Sequence, residues 1–152
     1  MIVLSRQAYD AILDHALEDR PREACGLLAG HRDGDRIVVE SAHRARNAAA
    51  APRTRFRIDP RAQLALMDGI EAAGRRVVGI YHSHPAGPHE PSSRDRRQAN
   101  WPGYHYLLAS LRGRWPTVNA WRWTGERFVP APVRVREDDP AGDGGSTAGS
   151  RT

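Results

Sequence analysis

Residues 77–81, VVGIY, most limit the folds open to this chain. The run is short, apolar and set between a helical pattern and a Pro/Gly-rich loop, which reads as a strand at the buried centre of a sheet. Such a strand needs partners beside it and helices over it, and the flanking segments provide both. Ser5 is placed to cap a first helix with Tyr9, Ile12, Leu13, Ala16 and Leu17 at helical spacing, up to the break at Pro21. Residues 24–30 (ACGLLAG) and 36–42 (RIVVESA) read as two strands joined by the turn Arg32-Asp33-Gly34-Asp35. Residues 53–58 (RTRFRI) alternate like an edge strand. Asp59 then caps a second helix with Pro60 in its first turn, Leu64, Leu66, Met67 and Ile70 as its apolar positions, and Gly74 as its stop.

Beyond the central run, Ser92-Ser93 is placed to cap a short third helix through Asn100. Residues 104–110 and 117–124 read as further strands, and 128–135 as one more, confined to an edge because Pro130 and Pro132 cannot donate to a ladder. The expected fold is α/β, a mixed β-sheet flanked by helices. One domain over 1–136 accounts for a chain of 152 residues, and the acidic then Gly/Ser-rich stretch 137–152 reads as a disordered tail. No apolar run approaches the roughly 20 residues of a membrane span, and the N-terminal apolar stretch is too short for a secretory signal. Together with a single cysteine, Cys25, this predicts a cytoplasmic protein. The net charge of +5 invites a nucleic-acid reading, but all 23 basic residues are arginine and they are scattered, so dispersed solvated charge ranks above nucleic-acid binding, with a modest patch for an acidic protein partner left open.

The chemistry concentrates in residues 81–95, YHSHPAGPHEPSSRD. In a strand, side chains two apart share a face, so His82 and His84 can present two imidazoles to one ion while Ser83 points away. Pro85 ends the strand. Asp95 falls in the first turn of the third helix, where the helix dipole favours a carboxylate. Two histidines and one carboxylate without a fourth protein ligand form a catalytic rather than a structural zinc set. The remaining histidines, His15, His31, His43, His89 and His105, read as structural or exposed. Glu23 stands at the start of an earlier strand. Taken alone, Glu23 reads equally as a residue of a helix-strand junction and Ser92 as a simple N-cap. Cys25 reads as a small buried residue, the alternative being a fourth ligand that would close the site.

Glu23, His82-Ser83-His84-Pro85, and Ser92-x-x-Asp95, with Ser92 seven positions after the proline, make the sequence similar to the JAMM/MPN+ metallopeptidases of the small prokaryotic type. The resemblance implies a single MPN domain holding one Zn²⁺ per chain, with a bound water, on His82, His84 and Asp95. It also implies Glu23 as general base and Ser92 as a hydrogen-bond donor to the oxyanion. The implied activity is that of a zinc metallopeptidase, hydrolysing the amide after the C-terminal Gly-Gly of a ubiquitin-like or sulfur-carrier protein. On the expected edge strand, Arg53, Arg55 and Arg57 are candidates to steer an acidic partner or to pair with its extended tail. Two other readings compete: a non-catalytic scaffold that binds ubiquitin-like proteins, and a DNA-repair protein of the RadC type. Against the second, no basic recognition helix is evident. A zinc nucleobase deaminase is excluded because its signature needs cysteines that are absent here.

Overall fold

The computed structural model describes residues 1–137, so the tail expected from 137 onward lies almost wholly outside the described residues. The chain opens with strand β1 (Ile2–Ser5) and helix α1 (Arg6–Asp19), then β2 (Cys25–Asp33) and β3 (Arg36–Ala45). Helix α2 (Pro60–Ala72), β4 (Arg76–His84) and helix α3 (Ser93–Gln98) follow, then β5 (His105–Ser110), β6 (Thr117–Trp123), β7 (Phe128–Ala131) and β8 (Val133–Arg136). The helix signals hold at the level of single atoms. Ser5 accepts from the Ala8 amide, Asp59 accepts from Arg61 and Ala62 with Pro60 behind it, and Gly74 leaves α2 at a φ of 82°, open to glycine without strain.

All eight strands form one mixed sheet in the order β7-β6-β5-β4-β2-β3-β1-β8. As expected, the central run lies inside it: β4 sits between antiparallel β2 and parallel β5. The order carries a consequence for shape. β7 and β8 stand at opposite ends, yet only Pro132 separates them. Seven steps between neighbouring strands amount to roughly 34 Å, and one residue spans about 3.5 Å. The sheet must therefore curl until its two ends meet at Pro132, whose carbonyl accepts from the Ile2 amide at 2.9 Å.

Curling gives the sheet two distinct faces. Against one packs α1, with Ala8, Ile12 and Ala16 buried on Ile2, Leu28, Val39, Tyr81 and Leu107. Against the other packs α2, with Ile70 buried among Leu27, Ile80, Tyr106 and Trp123. Side chains on β4 alternate between the two, which decides where the histidines go.

Three expectations need correction. Residues 53–58 form no edge strand: the segment is a turn and an irregular loop touching the sheet's surroundings through one isolated bridge, Asn47 to Ile58. Its Phe56 and Ile58 are buried beneath α2, so the alternation reflects a loop with two apolar anchors. The strand-addition role for Arg53, Arg55 and Arg57 falls with it. Residues 128–135 form two strands on opposite ends of the sheet, because Pro132 breaks the ladder between them. The third concerns Glu23, expected to begin a strand: β2 starts at Cys25, and the sheet also includes β1, a four-residue strand whose Ile2, Val3 and Leu4 are all buried.

Candidate active site

His82 and His84 both project from the end of β4 on the α2 face, and Asp95 comes to them from the first turn of α3. Each imidazole Nε2 lies 3.1 Å from the same oxygen, Asp95 Oδ2. The loop between His84 and α3 is fixed at several points: Ser110 Oγ donates to the Gly87 carbonyl, and the Leu111 amide donates to the His84 carbonyl. Ser92 caps α3 in a reciprocal capping box. Its Oγ accepts from the Asp95 amide at 3.0 Å while its own amide donates to Asp95 Oδ2 at 2.8 Å. The N-cap reading of Ser92 is thus correct, and it leaves the hydroxyl hydrogen available to another acceptor.

Hydrogen bonding sets the charge of each group. His84 Nδ1 lies 2.9 Å from the Pro88 carbonyl, which can only accept, so Nδ1 carries the proton and Nε2 is the nitrogen that faces Asp95. Burial works against a charged His84, but Asp95 and the Pro88 carbonyl outweigh it and hold its pKa above the ordinary value. Burial would likewise raise Asp95, yet His82, His84 and the Ser92 amide hold that carboxyl well below the usual range. These partners favour the anionic form of Asp95. A metal cation can replace the proton between these groups, since ligands must be deprotonated to bind it.

Glu23 completes the cluster from the segment between α1 and β2, two residues before the strand where it was expected to begin. One ligating atom from each of Glu23, His82 and His84 lies within 4.8 Å of the others. The glutamate is only 4% exposed, and burial, eased by His84 and reinforced by Asp95, pushes its pKa up to about 8. Among the described residues, buried side-chain atoms without a hydrogen-bond partner include Glu23 Oε1 and His82 Nδ1, both in this cluster. Unsatisfied buried atoms are rare in folded proteins, and the free Glu23 Oε1 marks a place that a ligand completes, while His82 Nδ1 lies on the side of its ring away from the Nε2 that meets Asp95. The donor set of two imidazoles and two carboxylates fits a divalent transition metal. Beside the cluster lies a cleft of about 510 Å³ that reaches His82 and Asp95 over an apolar floor of Phe56, Ile58, Ile80, Trp101 and Tyr106.

Every site residue read from the sequence comes to this one place except Cys25, which is adjacent but differently employed. Cys25 is paired with His82 across the β2–β4 ladder, yet its thiol is turned to the Ala45 carbonyl at 3.8 Å, and burial pushes its pKa up to about 12. A protonated, buried thiol is a packing residue. Three contributors had no supporting role assigned from the sequence, although Ser83 lies within the motif. Ser83, on the opposite face of β4, accepts from the Ala24 amide at 2.8 Å. Phe56 stacks on His82 with centroids 4.6 Å apart. Asn47 binds the Glu23 carbonyl. All three act through contacts distant in sequence.

A curled mixed sheet with this cluster at the end of a central strand, open to a cleft, defines a metal-dependent hydrolase. The family model described as prokaryotic homologs of the JAB domain matches residues 5–124, and the chain belongs to that family as a JAMM-type peptidase. It is 44% identical over 136 residues to the desampylase of Haloferax volcanii, covering 87% of this chain and 94% of that one. It is 38% identical over 112 residues to the CysO-cysteine peptidase of Mycobacterium tuberculosis, covering 74% and 75% respectively. Its structure is similar to that of a protein from Desulfitobacterium hafniense, with a TM-score of 0.83 at 34% identity over 92% of this chain and 96% of the other.

Proposed function

We propose that this protein hydrolyses the amide after the C-terminal Gly-Gly of a ubiquitin-like or sulfur-carrier protein, using one Zn²⁺ held by His82, His84 and Asp95. The observation that carries the reading is the contrast between the two buried carboxyls. Asp95 is held as an anion in hydrogen-bond contact with both imidazoles, which suits a ligand. Glu23 has a free Oε1 and a pKa near neutrality, at about 8, which suits a group that accepts and returns a proton. The names of the relatives support the substrate class. An apolar cleft ending at the cluster also suits an extended tail with small terminal residues.

Zinc, when bound, would supply the Lewis acidity that makes a water nucleophilic near neutral pH. Glu23 takes the proton of the attacking water and delivers it to the leaving amine. The Ser92 hydroxyl donates to the carbonyl oxygen as negative charge develops on it. The Pro88 carbonyl keeps His84 in the tautomer whose Nε2 would be free to hold the metal. No described helix is long and apolar enough to cross a membrane.

The test is cleavage of a ubiquitin-like carrier bearing one amino acid after Gly-Gly, followed by mass spectrometry, with zinc-loaded wild type, a chelated sample and Glu23→Gln. Cleavage by wild type alone is the expected result, with Glu23→Gln slower by about 10²- to 10⁴-fold at unchanged zinc content. Equal rates for wild type and Glu23→Gln would remove Glu23 from the mechanism. Zinc binding without cleavage of several carriers would favour the scaffold reading.

A further inference from the structure

Glu23 lies outside any strand, so no ladder fixes its backbone, and its buried Oε1 has no hydrogen-bond partner to fix the side chain. Its position must come from what holds residues 23 and 24. One support is Ser83, which binds both backbone groups of Ala24: its Oγ accepts from the Ala24 amide, and its amide donates to the Ala24 carbonyl at 3.0 Å. The other is Asn47, in the loop between β3 and α2.

Asn47 uses its whole amide. Nδ2 donates to the carbonyls of Glu23 at 3.0 Å, Arg55 at 3.0 Å and Pro52 at 3.3 Å. Oδ1 accepts from the amides of Ala49 at 3.0 Å and Arg57 at 3.1 Å. The Pro52 carbonyl in turn accepts from the Glu23 amide at 2.7 Å. Both backbone polar groups of Glu23 are therefore tied to a loop whose shape one side chain dictates. An asparagine-sized amide offers two N–H donors, one of them shared between carbonyls, and an acceptor to two amides from one point. Aspartate would set an anion against those carbonyls, and alanine would leave them unpaired.

We infer that Asn47 is a positioning residue that aims Glu23 at the cluster, an inference that rests on the reading of Glu23 as general base. Misplacing a catalytic group by about 1 Å can slow a reaction by about 10²-fold, so the effect belongs in kcat.

The experiment is a double-mutant cycle on the zinc-loaded full chain: wild type, Asn47→Ala, Glu23→Gln and the double variant, each assayed for kcat and KM on the carrier substrate. Zinc affinity and hydrogen exchange of the Glu23 amide are measured on the same proteins. Asn47→Ala is expected to lower kcat by about 10²-fold with KM and zinc affinity unchanged, to speed exchange of the Glu23 amide, and to add nothing in the Glu23→Gln background. An equal loss in both backgrounds would show a general structural role and overturn the inference, as would a folded Asn47→Ala with wild-type kcat. Should Asn47→Ala fail to fold, Asn47→Ser, which keeps one donor, is put through the same cycle. Undiminished activity of Glu23→Gln would overturn the reading of Glu23 and this inference together. A slow Glu23→Gln beside a normal Asn47→Ala would overturn this inference alone.

Discussion

The two faces of the sheet bury polar groups in opposite ways, and β4 contributes to both. On the α1 face, the Tyr81 hydroxyl is 2.7 Å from His15 Nδ1, while His15 Nε2 is 3.1 Å from Asp19. Each polar atom of that chain has its partner within the protein. On the α2 face, Glu23 and His82 each keep a buried atom without one. A satisfied network ties α1 to the sheet, whereas an unsatisfied one is completed by something from outside. The comparison also explains Gly26: a Cβ there would collide with the Tyr81 ring and the His43 carbonyl, so the strand beside the network must be bare at that point.

The strongest way to break this contrast is to empty the α2 face. His84→Ala is expected to abolish peptidase activity and metal retention, read by metal analysis after dialysis, while the far-UV circular dichroism stays that of the folded sheet. Retained metal at full occupancy would show that His84 is no ligand. A smaller effect tests the other face. Tyr81→Phe removes the partner of a buried imidazole nitrogen and should lower unfolding stability by about 1–3 kcal/mol in urea, with kcat of the folded protein unchanged. Were kcat to fall with stability intact, the two faces would be coupled through β4.

The third effect concerns His105, the exception on the α1 face, and appears only as pH falls. Its Nδ1 is buried and without a partner, but no carboxylate joins it; burial, followed by the Met1 ammonium, Arg122 and Arg32, pulls its pKa down to about 4 from 6.5. Between those values the unfolded chain binds a proton that the folded chain does not. Stability from this group is therefore complete above about pH 6.5 and is lost as pH falls toward 4. His105→Gln should flatten the stability curve over that window, measured by urea unfolding at stepped pH. An unchanged slope would mean that His105 does not titrate there.

Much of this was legible in local chemistry. The caps at Ser5, Asp59 and Ser92 and the stop at Gly74 are short-range hydrogen bonds and backbone preferences, so they read directly from neighbouring residues. The alternation of His82, Ser83 and His84 is equally local, because a strand's period of two needs no tertiary information. The site was readable since its residues belong to spaced motifs. Residues 53–58 misled for a related reason: Phe56 and Ile58 alternate with arginines, and alternation alone does not distinguish a strand from a loop pinned by two buried side chains.

What the amino-acid sequence determined by itself was the three helices and most of the strands, the α/β class and the identity of the groups that could meet at a metal. Tertiary structure decided how the sheet curls to join β7 and β8 at Pro132, that β1 takes a place in the sheet, and that Asn47, Ser83 and Phe56 support the cluster. It also decided that burial raises the pKa of Glu23 while the imidazoles beside Asp95 lower that of the other carboxyl. These depend on burial and on partners tens of residues away along the chain, and desolvation is a property of the packed interior that no local spacing encodes.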